Sequence, residues 1–258
     1  MSPKCCNGNA DRVSARQDAP ALSAIGVVKS YPGTTGNAVD GFNMTVQRGV
    51  VYCLLGRNGA GKTTTIRMAT TLLPPTSGHL EVLGIPVEKA RQLRPLIGVA
   101  LQDVALDQWM SPIEQIRMSL ALARWPKSTR HRRESDLVEQ FGLGDYQNHK
   151  VGALSGGMRR RVDVALAVAH NPQLLFLDEP SSGLDVQGKD EVCNVIRLLR
   201  SQGRTIILTT HDMDEAASLA DEIGIIKDGV LVASGPAEKF TGSQGSTSLR
   251  DAFLEATR

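Results

Sequence analysis

The sequence predicts an α/β fold built around a parallel β-sheet. Three apolar runs of strand length, at residues 50–55, 174–177 and 205–210, alternate with stretches of helical pattern. Polar residues or a glycine-rich turn follow each run directly. Because ligands of parallel α/β sheets bind beyond the carboxyl ends of the strands, we expect a binding site at that edge.

The composition is that of an ordinary globular protein. The chain has 258 residues, of which 41% are hydrophobic and 22% are charged, and its formal net charge is +2. This balance does not favour a nucleic-acid partner. The sequence lacks both the apolar run of about 18 residues that a membrane helix needs and the apolar region of a secretory signal. A membrane role would therefore require a membrane-spanning partner.

The chain begins with residues 1–20, which have no periodicity and are predicted to be a disordered leader. This leader contains Cys5 and Cys6, for which lipidation or metal binding is the alternative to a free tail. Cys53 and Cys193 lie in apolar patterns and are expected to be small buried residues. This use of cysteine is typical of a reducing cytosol.

The first apolar run leads directly into a glycine-rich phosphate-binding pattern. Gly56, Gly61, Lys62 and Thr63 match Gly-x-x-x-x-Gly-Lys-Thr. The glycines let backbone N–H groups turn towards phosphates, and the start of the following helix adds a positive dipole end. Lys62 suits β- and γ-phosphates, and the Thr63 hydroxyl suits Mg²⁺. Kinases, GTPases, helicases and transport ATPases all use this pattern, although the sequence has no Asn-Lys-x-Asp segment that would favour a GTPase.

Residues 104–150 change in character and are predicted to be a helical insertion. Ser111, Pro112 and Glu114 form the pattern of a helix start, with serine at the N-cap and glutamate completing a capping box. A second amphipathic helix is predicted over residues 129–141, ended by glycines.

A second group of polar residues follows the second apolar run. Asp178 at the strand end suits Mg²⁺, and the adjacent Glu179 can orient or deprotonate an attacking water. Residues 154–158 form another glycine-rich turn, which opens a helix that is apolar nearly all round and is expected to be buried. A serine and two glycines at its start predict a second anion site. Two phosphate sites in one chain suggest a nucleotide held between two subunits.

Two kinds of side chain in this region have less specific interpretations. The basic runs at residues 130–133 and 159–161 are predicted to be solvated helix faces, with dimer packing or contact with a membrane partner as alternatives. Trp109 and Trp125 flank the helical insertion and are predicted to pack in the core. Contact with a membrane partner is again the alternative.

In order and spacing, these motifs resemble those of the ATP-binding-cassette (ABC) ATPases over about residues 22–240. The matching motifs are Walker A (56–64), the Q-loop glutamine (Gln102), the signature usually written LSGGQ (154–158), Walker B (174–179), the D-loop (182–185) and the switch histidine (His211). Tyr31 resembles the A-loop aromatic residue that stacks on adenine, with a plain surface or core tyrosine as the alternative.

The resemblance implies a P-loop NTPase core of the RecA-like type, with an N-terminal antiparallel β subdomain and a helical subdomain. The nucleotide-binding domain is expected to span residues 21–241, with the helical subdomain at about 104–153. Residues 242–258 are expected to form a linker and a short C-terminal helix.

The resemblance also implies ATP and Mg²⁺ as ligands and assigns roles at the site. Glu179 would be the catalytic base, and His211 would hold the γ-phosphate and the attacking water. Gln102 would contact Mg²⁺ and the water, and relay the nucleotide state to a membrane partner. Thr63, Gln102 and Asp178 are the expected metal ligands.

The family further implies a head-to-tail dimer that ATP closes and hydrolysis reopens. The residues expected to bind ATP are Tyr31, Gly56, Arg57, Asn58, Gly59, Ala60, Gly61, Lys62, Thr63 and Thr64. The residues expected to cap the ATP of the other subunit are Ser155, Gly156, Gly157 and Asp185.

Residues 70–78, 155–161 and 248–254 resemble the drug-exporter branch of ABC-2 systems, which includes the daunorubicin-resistance ATPases. In that branch the ATPase is a separate chain that pairs with a membrane protein of about six helices. We therefore expect a homodimeric ATPase on the cytoplasmic face of a bacterial plasma membrane, powering export of a drug-like or amphipathic compound or a lipid. An importer subunit and a soluble ATPase of DNA repair or translation are the alternatives, and the single P-loop and signature disfavour the latter.

Three positions depart from the usual motifs of the family. Arg57 stands where proline is common, Cys53 where glycine is usual, and Val186 where proline often follows the D-loop. None of these departures removes a catalytic group.

Overall fold

Two β-sheets organise the chain in the computed structural model, which describes residues 19–241 and 249–256. Nearly all of the predicted leader, including Cys5 and Cys6, lies outside the described residues, as does the predicted linker at 242–248. The strands are β1 (Leu22–Ser30), β2 (Asn37–Val46), β3 (Val51–Leu55), β4 (Ser77–Val82), β5 (Ile85–Pro86), β6 (Ile97–Ala100), β7 (Leu174–Asp178), β8 (Thr205–Thr210), β9 (Glu222–Lys227) and β10 (Val230–Pro236).

Helices cover both sheets and form the insertion between β6 and β7. They are α1 (Lys62–Ala69), α2 (Ala90–Leu93), α3 (Pro112–Leu122), α4 (Lys127–Gln140), α5 (Gly156–Val168), α6 (Val186–Ser201), α7 (Met213–Leu219), α8 (Ala237–Thr241) and α9 (Leu249–Ala256). None of the helices in the described ranges has the length and apolar character needed to cross a bilayer.

The larger sheet has six strands in the order β10-β9-β3-β8-β7-β6, and all of its neighbouring pairs are parallel except β9 and β10. The smaller sheet is antiparallel, in the order β2-β1-β4-β5. The predicted α/β fold, with a parallel core and an N-terminal antiparallel sheet, is confirmed.

The central strand β3 is buried on both faces and joins two hydrophobic clusters. Cys53 and Leu55 face the cluster that contains α5 and α6, whereas Tyr52 and Leu54 face the cluster under the antiparallel sheet. Successive side chains of a strand point to opposite faces, which is why a strand between two clusters is apolar throughout. The predicted burial of Cys53 and Cys193 is confirmed.

The helical insertion begins with the predicted capping box. The Ser111 hydroxyl accepts a hydrogen bond from the Glu114 amide at 3.4 Å, and the Glu114 carboxylate accepts one from the Ser111 amide at 2.8 Å. The second helix, α4, begins at Lys127, directly after Pro126, and ends one residue before the predicted boundary.

Two predictions about side-chain burial are wrong in part. Trp109 is 79% exposed and lies beneath the Lys150 ammonium, 5.4 Å from the ring centroid, whereas Trp125 packs against the core as predicted. The basic runs are not simply solvated, because Arg160 is only 3% exposed and Arg133 is half-buried. Both arginines donate to backbone carbonyl oxygens, which compensates the loss of water.

The sheet and α5 are in close contact at Gly98 in β6, where an added Cβ would overlap the carbonyl oxygen of Ala167. We expect Gly98→Ala to lower the free energy of unfolding by about 1–3 kcal/mol, because the backbone of α5 must move. Urea unfolding measures this loss. Gly144→Ala is the matched control, since its Cβ meets open space. Equal losses for the two variants would contradict the steric explanation.

Candidate functional site

The glycine-rich loop between β3 and α1 has the predicted strand–loop–helix context. Gly61 has φ 103°, and a Cβ there would lie 2.5 Å from the carbonyl oxygen of Ala38. A Cβ on Gly56 would lie 2.7 Å from the carbonyl oxygen of Ile226. Both positions therefore need glycine, and the loop can present backbone N–H groups at the start of α1.

The side chain of Lys62 is buried at the base of this loop. Its Nζ donates to the carbonyl oxygens of Gly56 at 2.9 Å and Arg57 at 3.1 Å, and lies 3.1 Å from the Oε1 atom of Glu179. An ammonium group has three N–H donors, so these three contacts use all of them. Any phosphate oxygen that binds Lys62 must therefore share or replace one of these partners.

Glu179 connects Lys62 to His211. It follows β7 with φ 46°, and its amide donates to the carbonyl and hydroxyl oxygens of Thr209 at 3.1 and 3.0 Å. Its Oε2 atom lies 3.1 Å from Nδ1 of His211, which follows β8. Because β7 and β8 are parallel neighbours, their carboxyl ends place these side chains together.

Asp178, at the end of β7, is completely buried. Its Oδ1 atom accepts a hydrogen bond from the Thr209 hydroxyl at 2.5 Å. Its Oδ2 atom has no hydrogen-bond partner among the residues that the structure describes. A buried carboxylate oxygen left without a donor is suited to a cation or a water bound to one.

Beside the phosphate-binding loop lies a pocket of about 330 Å³, which Lys62 and Glu179 line and Asp178 and His211 do not. It is lined by Ala38, Asn58, Gly59, Gly61, Lys62, Thr63, Thr64, Gln102 and Glu179. The hydroxyl of Tyr31 lies 3.5 Å from that of Thr64, which places the tyrosine beside the pocket. Arg57 and Ala60 line a neighbouring pocket, which Ile226 also lines, and Gly56 is buried.

The predicted signature and D-loop residues form a second cluster at the starts of α5 and α6. The Ser155 hydroxyl caps α5 by accepting a hydrogen bond from the Met158 amide at 3.2 Å. The Asp185 carboxylate caps α6 in the same way, from the Gly188 amide at 2.8 Å. A Cβ on Gly157 would lie 3.0 Å from the Cα atom of Gly188, so the two helix ends are in close contact. Among the described residues, this cluster contributes nothing to the lining of the pocket above.

Sequence reasoning missed two residues of the site. Thr209 ties Asp178 to the backbone of Glu179, and a hydroxyl at the end of a buried strand, two residues before the predicted switch histidine, was the available signal. Arg160 donates to the carbonyl oxygens of Asp178 and Pro180. The sequence offered no signal for it, because it is the middle residue of three consecutive arginines.

The family of ABC transporter domains matches residues 39–182, more than half of the chain. The chain belongs to the ABC transporter family. It is 40% identical over 235 residues to the daunorubicin/doxorubicin resistance ATP-binding protein DrrA of Streptomyces peucetius, covering 91% of this chain and 71% of that protein. It is 39% identical to the Nod factor export ATP-binding protein I of Cupriavidus pinatubonensis, covering 92% and 74%. The predicted family and its drug-exporter branch are confirmed.

A solved structure of the ATP-binding cassette MJ0796 has the same fold. It is a dimer bound to ADP and Pi, with a TM-score of 0.75 and 24% sequence identity over 84% of this chain and 98% of that one. As a member of the ABC transporter family, the chain is an ATP-hydrolysing ABC cassette, as predicted. A second solved structure of MJ0796, with a TM-score of 0.76 and 24% identity, is likewise dimeric.

Proposed function

We propose that this cassette powers an exporter that moves a drug-like or amphipathic compound, or a lipid, out of the cell. The observation that most strongly supports its catalytic part is the continuous contact from Lys62 through Glu179 to His211 beside the phosphate-binding loop. The direction and class of cargo rest on its relatives, one of which is a daunorubicin/doxorubicin resistance protein.

In the proposed ATP complex, the backbone of residues 56–64 and the Lys62 ammonium hold the phosphates. Tyr31 stacks on the adenine, a role that its position beside Thr64 supports. Glu179 accepts a proton from the attacking water, and His211 holds that water and the γ-phosphate. The 3.1 Å contact between Nδ1 of His211 and Oε2 of Glu179 holds the two side chains next to each other.

The site residues fit Mg²⁺, which favours oxygen ligands. The unpartnered Oδ2 atom of Asp178 is the observation that supports this, and Thr63 and Gln102 line the pocket that the next residue, Glu179, also lines. We assign Asp178, Thr63 and Gln102 to the metal. Bound there, Mg²⁺ would neutralise negative charge on the β- and γ-phosphate oxygens.

We further propose that two copies of the chain form the head-to-tail dimer. In it, Ser155, Gly156, Gly157 and Asp185 of one subunit face the ATP held by the other. Ser155 and Asp185 are exposed, as groups that meet a partner must be, and the start of α5 offers the positive end of a helix dipole.

The translocation path is proposed to come from a separate subunit of about six membrane helices. The cassette would bind it peripherally, on the cytoplasmic face of a bacterial plasma membrane. The exposed Trp109 supports this arrangement, because a large aromatic side chain on the surface of the helical insertion is suited to a protein contact. Gln102 would relay the nucleotide state to that surface.

The test is to isolate the tagged cassette from its native cells in mild detergent, reconstitute it with the membrane protein that accompanies it, and measure ATP-dependent daunorubicin transport. We expect a partner of about six helices, with transport lost in the Glu179→Gln variant. An accompanying lipid-anchored binding protein and inward transport would instead indicate an importer. Reproducible recovery of ribosomal or DNA-associated partners alone would overturn the transport function.

A further inference from the structure

Arg160 is an unusual side chain in α5, the helix that begins with the signature residues. It is only 3% exposed, although a guanidinium group is costly to remove from water. Its buried position is therefore supported by specific partners, and these partners lie outside α5 as well as within it.

All three nitrogens of the guanidinium group make contacts. Nε donates to the carbonyl oxygen of Pro180 at 2.9 Å, and Nη2 donates to that of Asp178 at 2.8 Å. Nη1 donates to Asp163 at 2.9 Å and to the carbonyl oxygen of Leu101. The planar, rigid fork of arginine can hold several acceptors at fixed angles, which a lysine ammonium cannot do.

Two of these acceptors lie on either side of Glu179. This glutamate has φ 46°, a left-handed conformation that is unfavourable for an L-residue. Because the carbonyl groups of Asp178 and Pro180 are both bonded to Arg160, the peptide unit before Glu179 and the one after Pro180 are held in place. The direction of the Glu179 side chain depends on that backbone.

The third carbonyl acceptor, that of Leu101, directly precedes Gln102. One buried side chain therefore holds backbone next to both Glu179 and Gln102, two residues that line the same pocket. Asp163, one turn further along α5, supplies the counter-charge. Burial raises the pKa of Asp163 to about 6 and lowers the pKa of Arg160, and the ion pair opposes both shifts.

We propose that Arg160 is a positioning residue for hydrolysis, which holds Glu179 and Gln102 in their places around the γ-phosphate. This rests on the proposed role of Glu179 as the base. Arg160 is assigned no contact with ATP, so its loss should change the rate of the chemical step and leave nucleotide binding in place.

The first experiment compares Arg160→Gln with the wild type in steady-state hydrolysis and in binding of a fluorescent ATP analogue. We expect kcat to fall about ten- to a hundredfold, as for a small misplacement of catalytic groups, with KM and analogue affinity within about twofold of wild type. Arg160→Lys keeps the charge and is expected to recover part of kcat. If Arg160→Gln does not fold, Arg160→Lys is the variant that tests the proposal.

Arg133→Gln is the matched control. Arg133 also donates to two backbone carbonyl oxygens, those of Val168 and Ala169 at the other end of α5, and it contacts none of the site residues named above. We expect its kcat to stay within about twofold of wild type. An equal loss of kcat in this variant, or a loss of ATP affinity in Arg160→Gln, would show general loosening and overturn the proposal.

A double variant separates this proposal from the role of Glu179 itself. If Arg160 acts through Glu179, adding Arg160→Gln to Glu179→Gln should lower the residual rate by less than about threefold. Losses that multiply would overturn the positioning of Glu179 by Arg160, while leaving Glu179 as the base. Near wild-type hydrolysis by the single Glu179→Gln variant would instead reject Glu179 as the base, and the positioning proposal with it.

Discussion

Glu179→Gln is expected to lower steady-state ATP hydrolysis by about 10²- to 10⁴-fold while ATP binding persists. Glutamine has nearly the same shape but cannot accept a proton from water. Lys62 keeps the carbonyl oxygens of Gly56 and Arg57 when the carboxylate is removed, so it is available to phosphate. We expect ATP affinity to be unchanged or higher, because the carboxylate no longer competes for the ammonium.

Phosphate release measures the hydrolysis rate, and binding of a fluorescent ATP analogue measures the affinity. Size-exclusion chromatography with ATP should show a dimer that persists, since hydrolysis no longer reopens it. Glu139→Gln, an exposed glutamate on α4, is the control and should hydrolyse ATP at the wild-type rate. A Glu179→Gln protein with near wild-type phosphate release would remove Glu179 from the mechanism.

Ser155→Arg is expected to lower hydrolysis about a hundredfold while a single subunit still binds nucleotide. Ser155 caps α5 and does not line the pocket of its own subunit, so binding there is undisturbed. In the proposed dimer the arginine would occupy the space of the partner's ATP. Mixing this variant with Lys62→Ala should restore activity, because the mixed dimer keeps one site with an intact loop and an intact signature.

The restored rate should be about a quarter of wild type, because half of the dimers are mixed and each has one intact site of two. Phosphate release measured against the mixing ratio tests this directly. The control replaces Lys62→Ala by a protein that carries both substitutions, which should restore nothing. If the first mixture is also inactive, the two subunits do not share their sites.

The phosphate-binding loop could be predicted because its signal is local. Gly56 and Gly61 are required by backbone geometry within one loop, and the apolar run before them identifies a doubly buried strand. The positions of Asp178 and His211 followed from the rule that the carboxyl ends of parallel strands share an edge. The short strand β6, at Ile97–Ala100, was not predicted, since four apolar residues fit a strand or a buried helix equally well.

The burial of Arg160 could not be predicted from its neighbours in the sequence. A run of three arginines usually lies in solvent, and the acceptors that bury this one come from Leu101 and Asp178, which only the folded sheet brings together. For Trp109 the prediction was wrong in the opposite direction, because it was expected in the core and lies on the surface. Its apolar ring predicts burial, but the turn before α3 places it on the surface.

The common direction of the parallel strands divides the connecting loops into two groups. Those at the carboxyl edge carry phosphate chemistry, whereas those at the amino edge, such as residues 202–204 between α6 and β8, only complete a crossover. Gln202 and Gly203, two of the three residues of that loop, are exposed, as is typical of sites that tolerate insertion. A fluorescent domain inserted there would move with the cassette while leaving its chemistry intact, which makes dimer closure observable by energy transfer in living cells.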